Sequence, residues 1–197
     1  MRKIITTTFV TLDGVMQGQG GPEEDTSGGF TQGGWSMSYN DEMTGQVIDR
    51  FMKMPFELLL GRKTYDIFAA YWPHTDEAPN IARPFNTTKK YVVSHARAEL
   101  SWPNSVMVTG SDIVSELKKL KGMDGPDLWV WGSGNLIQTL LNNDLIDQMY
   151  IWTHPLTLGG GKRLFREGTR PAAFQLASSQ VSASGVIIAH YERAPGR

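Results

Sequence analysis

The chain has 197 residues, 40% hydrophobic and 20% charged, a balance that suits one globular domain with its own core. A net charge of -1 and a pI near 6.4 offer no global attraction to nucleic acid or to an anionic membrane, so any phosphate must be held locally. The absence of cysteine removes disulfides and thiolate zinc sites, and the scattered His74, His95, His154 and His190 lack metal-ligand spacing, so no metal is expected.

The N-terminus, Met1-Arg2-Lys3-Ile4-Ile5, turns polar at Thr6-Thr7-Thr8 and carries no apolar signal core. No stretch approaches the roughly 20 apolar residues that span a bilayer, and a soluble, cytoplasmic protein is the expectation. Lys3 to Thr11 has strand composition and ends at Asp13-Gly14. From Gln17 to Trp35 lie Gly18, Gly20, Gly21, Gly28, Gly29, Gly33 and Gly34, a third of all 21 glycines; a long loop inside a compact domain is usually a lid or a binding loop. A helix follows, with Ser38-x-x-Asp41 as a capping box and Met43, Val47, Phe51 and Met54 on one face, closed by Pro55.

Phe56 to Leu60 reads as a strand and Lys63 to Ala70 as a short helix. Pro73 to Pro84 is a connection, with a helical turn predicted near Asn80 to Phe85. Lys90 to Ser94 and Ser105 to Val108 are strands, and Ser111 is the predicted cap of a helix bearing Ile113, Val114, Leu117 and Leu120 that stops at Gly122. Leu128 to Trp131 is a strand, followed by a helix burying Leu136, Ile137, Leu140 and Leu141; Gln148 to Thr153 is another strand. Residues 173–193 form two antiparallel strands turning near Ser184-Gly185. The pattern predicts an α/β sheet, mostly parallel, with an antiparallel edge.

Two junctions repeat one theme: Leu58-Leu59-Leu60-Gly61-Arg62-Lys63-Thr64-Tyr65 and Leu128-Trp129-Val130-Trp131-Gly132-Ser133-Gly134-Asn135-Leu136. Each runs from an apolar strand through glycine into a helix, and so exposes backbone N–H groups at a positive helix end that suits phosphate. Ile137 stands where a third glycine of G-x-G-x-x-G belongs, and Gly159-Gly160-Gly161-Lys162-Arg163 lacks the hydroxyl residue of a P-loop. Gly132 and Gly134 are therefore open to two readings, a tight turn or a phosphate cradle. Arg62 and Lys63 are less ambiguous, because cations in a first helical turn are unfavourable unless an anion joins them.

Thr11-Leu12-Asp13-Gly14, the two junctions and Tyr91-Val92-Val93-Ser94 resemble, in order and spacing, the dihydrofolate reductase-like family that includes the reductase domain of the riboflavin-biosynthesis protein. So does the run from Asp144 to Tyr150 with His154-Pro155-Leu156-Thr157-Leu158-Gly159-Gly160-Gly161-Lys162-Arg163-Leu164-Phe165. The resemblance spans nearly the whole chain and implies a single domain over residues 1–197, a three-layer fold around a mixed sheet of about eight strands, and NADPH as cofactor. It implies that Gly61, Arg62, Lys63 and Thr64 contact the pyrophosphate and the adenosine 2′-phosphate side, with Ser94 and Arg97 assisting. Gly132, Ser133, Gly134, Asn135 and Leu136 would wrap the pyrophosphate on the nicotinamide side, and Val10, Thr11 and the turn from Gly14 to Gln17 would line the nicotinamide.

Hydride transfer needs the acceptor held close in a dry site and a proton source beside it. Asp41 opens the helix corresponding to the one on which dihydrofolate reductase proper carries the carboxylate that anchors its pterin, yet an acid there also stabilises a helix N-terminus. Asp13 either makes an Asp-Gly turn or borders the active site. Trp35, closing the glycine-rich loop, is expected to cap a flat ring substrate. The leading reading is an NADPH-dependent reductase of a small heterocyclic or carbonyl substrate, such as a pterin or a ribosylamino-pyrimidine. Open alternatives are an NADPH-binding protein without catalysis and a purely structural protein. The resemblance also implies a homodimer, for which the strands between Ala173 and Glu192 are the candidate interface.

Overall fold

Alternation of side chains along each strand sends its odd and even residues into two separate cores, one on each face of a single sheet. The computed structural model describes residues 1–96 and 99–194. Its strands are β1 (Ile4–Thr11), β2 (Phe56–Gly61), β3 (Lys90–Val93), β4 (Ser105–Val108), β5 (Asp127–Trp131), β6 (Gln148–His154), β7 (Phe174–Val181) and β8 (Ile187–Arg193). They lie in the order β4-β3-β2-β5-β1-β6-β8-β7. The five pairings among β1 to β6 are parallel, and β8 pairs antiparallel with both β6 and β7. This is the mostly parallel sheet with an antiparallel C-terminal edge that the strand pattern implied.

The helices are α1 (Glu42–Met52), α2 (Arg62–Tyr71), α3 (Pro79–Thr87), α4 (Ile113–Gly122) and α5 (Gly134–Asn142). One face of the sheet packs Ile4, Leu59, Leu128 and Val130 against Leu117 and Leu120 of α4 and Ile137 and Leu140 of α5. The other buries Trp129, Trp131 and Trp152 with Val47 and Phe51 of α1, Tyr65 of α2 and Phe85 of α3. None of the helices among the described residues is long and apolar enough to cross a membrane.

Three local expectations change. Ser38 sits in a short 3-10 turn, Met37–Tyr39, and the cap of α1 is Asp41. Its carboxylate accepts the Thr44 N–H at 2.9 Å while the Thr44 hydroxyl accepts the Asp41 N–H at 2.8 Å, a reciprocal pair. Likewise α4 is capped by Asp112 rather than Ser111, because the Asp112 carboxylate accepts the Ser115 N–H at 3.1 Å. The turn predicted near residue 80 is a nine-residue helix, α3, started by Pro79, whose missing N–H costs nothing in a first turn.

Candidate functional site

The site begins where β1 and β5 part. β1 is in register with β5 only from Ile4↔Leu128 to Thr7↔Trp131, whereas it follows β6 from Ile5↔Gln148 to Thr11↔His154. Beyond Thr7 the edge of β1 that faced β5 is open, which is the kind of crevice at strand C-termini where α/β folds bind ligands. A cleft of about 870 Å³ occupies this place, and the N-terminal residues of α2, α4 and α5 all border it.

The two junctions are joined to each other by hydrogen bonds. The Gly61 N–H donates to Ser133 Oγ at 3.0 Å, and the Ser133 N–H donates to Thr64 Oγ1 at 3.0 Å. This exchange needs consecutive left-handed residues, Gly132 at φ 58° and Ser133 at φ 54°. With Gly61 satisfied, the amides of Arg62, Lys63 and Thr64 in α2 and of Gly134, Asn135 and Leu136 in α5 have no acceptor inside their own helices. Two positive helix ends therefore meet in one place.

Arg62, Lys63, Lys162, Arg163 and Arg166 add side-chain charge to the same cleft. Most are already engaged. Arg62 holds Asp66 at 2.8 Å, Lys63 and Lys162 each hold Asp25 at 2.6 Å, and Arg166 donates to Asn135 Oδ1 at 2.6 Å. Lys162, Arg163 and Arg166 follow three consecutive glycines, a signal visible in the sequence.

Of the residues expected around a cofactor, Gln17, Gly61, Arg62, Lys63, Thr64, Ser94, Gly132, Ser133, Gly134, Asn135 and Leu136 line this one cleft. Val10, Thr11 and Gly14 do not. Val10 is packed in the core beside Leu59 and Val130, the Thr11 hydroxyl donates to Asp13 at 2.5 Å, and Gly14 makes a turn at φ 81°. Because the strands part directly after Thr7, it is Thr8 and Phe9 that border the opening. Arg97 lies outside the described residues.

None of the candidate catalytic residues, Asp13, Trp35 and Asp41, lines this cleft. Asp13 borders no part of the cleft; its carboxylate accepts the Thr11 hydroxyl and the N–H groups of Gly159 at 2.8 Å and Leu158 at 3.2 Å. These bonds, that from Thr11 foremost, hold it down to about pKa 2. Asp41 is spent on Thr44 and on the Ser184 N–H at 3.0 Å, which keep it well below the ordinary carboxylate range. Trp35 is buried, with its indole N–H on the Gln17 carbonyl at 2.8 Å and its ring edge-on to His154 at 5.1 Å, so it anchors the loop. His154 is 2% exposed and burial lowers its pKa, which keeps the ring neutral at pH 7.

Sequence reasoning passed over Glu24. It lines the cleft half-buried, accepts the Gly20 N–H, and burial raises its pKa. Nothing in its spacing marks it, since the loop only brings it to the cleft by folding back at Gly20 and Gly21.

The profile of the RibD C-terminal domain family matches residues 2–188, nearly the whole chain. The chain belongs to the RibD C-terminal domain family. Protein YyaP of Bacillus subtilis strain 168, itself uncharacterized, is 29% identical over 193 residues, covering 94% of this chain and 92% of its own. A Shewanella sp. PV-4 protein assigned provisionally to riboflavin biosynthesis superposes with a TM-score of 0.66 at 24% identity, covering 98% of this chain and 99% of its own. The dihydrofolate reductase of Enterococcus faecalis, solved in complex with NADP(H), gives a TM-score of 0.60 at 12% identity over 97% of this chain and 96% of its own. The RibD-type fold is thus shared with dihydrofolate reductase.

Proposed function

We propose that the protein is an NADPH-dependent reductase that delivers hydride to a small heterocyclic or carbonyl substrate, of the pterin or ribosylamino-pyrimidine kind. The observation that carries this reading is the hydrogen-bonded pair of junctions beside the opened edge of β1. The donor set suits a dinucleotide: unpaired amides at two helix ends, with cationic side chains at both, match two phosphate centres. When bound, the cofactor supplies the hydride. The chain's part is to hold the phosphates at Arg62, Lys63 and the first turn of α5, and to place apolar surface from Phe9 and Trp131 next to the reacting rings.

Titration with NADPH and NADH, followed by tryptophan emission, tests this directly. Binding weaker than about millimolar, roughly 4 kcal/mol, by both nucleotides would sink the proposal. Arg62→Ala is expected to weaken NADPH about tenfold and NADH by less than threefold, because the guanidinium can pair with a 2′-phosphate that only NADPH carries. Equal losses would remove Arg62 from that role.

A second reading, a nucleotide-binding protein without turnover, is favoured by one observation: Asp13 and Asp41 both spend their carboxylates on backbone N–H groups. Cofactor binding without NADPH oxidation across a broad acceptor panel would select it. The proposal includes a cytoplasmic homodimer. β7 offers an eight-residue edge with Leu176 and Val181 exposed, the kind of edge a second strand can extend. Sedimentation velocity should give twice the chain mass, and Val181→Lys should shift it toward the monomer.

A further inference from the structure

Asp25 belongs to the glycine-rich segment between β1 and α1, yet its side chain is only 13% exposed because two lysines from distant parts of the chain close on it. Lys63 Nζ, from the first turn of α2, lies 2.6 Å from Oδ1, and Lys162 Nζ lies 2.6 Å from Oδ2. Both ammonium groups also donate to Ser27 Oγ, at 2.8 and 2.6 Å, and the Ser27 hydroxyl donates to Asp25 Oδ1 at 2.6 Å. Asp25, Lys63 and Lys162 all border the cleft described above. One carboxylate therefore ties three segments together across its mouth.

The arrangement answers a problem set by the sequence. A lysine in a first helical turn is unfavourable without an anion beside it, and here the chain supplies that anion itself. Burial works against the charge on Asp25, but the hydrogen bonds from Lys162 and Lys63 outweigh it and hold the group well below the usual carboxylate range. It is ionised at any working pH. A phosphate oxygen uses the same ammonium donors as a carboxylate oxygen, so the two compete for one set of partners.

The segment is also built to let go. Left-handed glycines stand on both sides of Asp25, Gly18 at φ 61° before it and Gly28 and Gly29 at φ 72° and 75° after it. The last two have open space where a side chain would be. Beyond the ion pairs, the Gln17 side-chain amide holds the carbonyls of Asp25 and Ser27 at 3.0 and 2.8 Å, single neutral bonds that are weak beside charge-assisted ones.

We propose that Lys63, Lys162 and Ser27 form an anion subsite that Asp25 occupies as an internal competitor, so that a ligand phosphate is held there only after this segment releases it. The subsite is defined by anion chemistry; only the identity of the phosphate as part of a dinucleotide rests on the function proposed above. Asp25 then acts as an autoinhibitory strap, and ligand affinity includes the cost of opening it.

The test compares wild type, Asp25→Asn and Glu23→Gln in titrations with inorganic pyrophosphate and with NADPH, and follows amide hydrogen exchange across residues 17–35. Asn keeps the shape of the side chain and removes its charge; Glu23 is exposed and has no ion pair among the described residues, so its replacement controls for net charge. Asp25→Asn is expected to bind both ligands about tenfold more tightly. Glu23→Gln should match wild type, and pyrophosphate should speed exchange of the segment in wild type. Unchanged or weaker binding by Asp25→Asn, an equal gain in Glu23→Gln, or no pyrophosphate binding by any of the three overturns the strap. Tighter pyrophosphate binding by Asp25→Asn with no NADPH binding at all leaves the strap standing and removes the dinucleotide reading. NADPH bound equally by all three does the reverse.

Discussion

Replacing Lys90 with methionine is expected to lower the unfolding free energy by about 3 kcal/mol, because three backbone carbonyls lose their donor. Lys90 opens β3 and is 0% exposed, and its ammonium points into a cage of backbone oxygens: Thr88 at 2.7 Å, Pro103 at 3.1 Å and Asn86 at 3.2 Å. Three donors meet three acceptors, and the charge also lies 4.4 Å from the centre of the Trp102 ring. Thr88 and Asn86 stand at the C-terminal end of α3, where carbonyls lack helical partners and a cation is favoured. Methionine preserves the packing of the stem and strips the donors, so the loss measures the clamp itself.

Burial lowers the Lys90 pKa from 10.5 to about 8. Between those values the unfolded chain binds more protons than the folded one, so rising pH relieves the cost of burying the charge. Wild type should therefore gain stability relative to Lys90→Met from pH 8 to 10.5, and urea unfolding of both at several pH values checks it. A loss below 1 kcal/mol at pH 7 would show that the clamp contributes little.

The second large effect concerns Gly132. Gly132→Val is expected to weaken NADPH and NADH alike by more than about a hundredfold, close to 3 kcal/mol. Gly132 has φ 58°, and a β-carbon there would lie 3.4 Å from Thr64 Cγ2. Valine adds two methyl groups beyond that point and resists a left-handed backbone, so Thr64 must move and the bond from the Ser133 N–H to its hydroxyl is lost. The two helix ends then separate. Gly132→Asn separates the two causes, since asparagine tolerates the backbone but keeps the crowding. Binding of NADPH by Gly132→Val within threefold of wild type, with the fold intact by circular dichroism, would show that joining the junctions is unimportant.

The expected site residues that do border the cleft lie where a local pattern marks them. Gly61-Arg62-Lys63-Thr64 and Gly132-Ser133-Gly134 are contiguous strand-to-helix passages, and their residues border the cleft. Val10 and Thr11, expected beside a nicotinamide, lie a short step along β1 from Thr8 and Phe9, which border the cleft, because the position at which β5 leaves β1 depends on pairing register and on no residue within β1 itself. Asp13 and Asp41 looked like candidate acids because composition does not reveal which backbone N–H groups fold back on a carboxylate. Trp35, expected to cap a flat ring substrate, is instead enclosed by Val15, Phe30 and the Gln17 carbonyl, contacts that its glycine neighbours do not announce.

By itself the sequence determined the alternation of strands and helices, the antiparallel edge, and the family to which the order of motifs points. Each of these rests on side-chain periodicity or on short turns whose chemistry is local. Tertiary structure alone decided that the two junctions bond to each other, that Asp25 lies between Lys63 and Lys162, and that Lys90 is caged. The cleft contacts among these join residues from 38 to 137 positions apart, and their partners become neighbours only once the order and register of the sheet are set. The Lys90 cage is nearer in sequence, but closing it required β3, β4 and the end of α3 to be packed together.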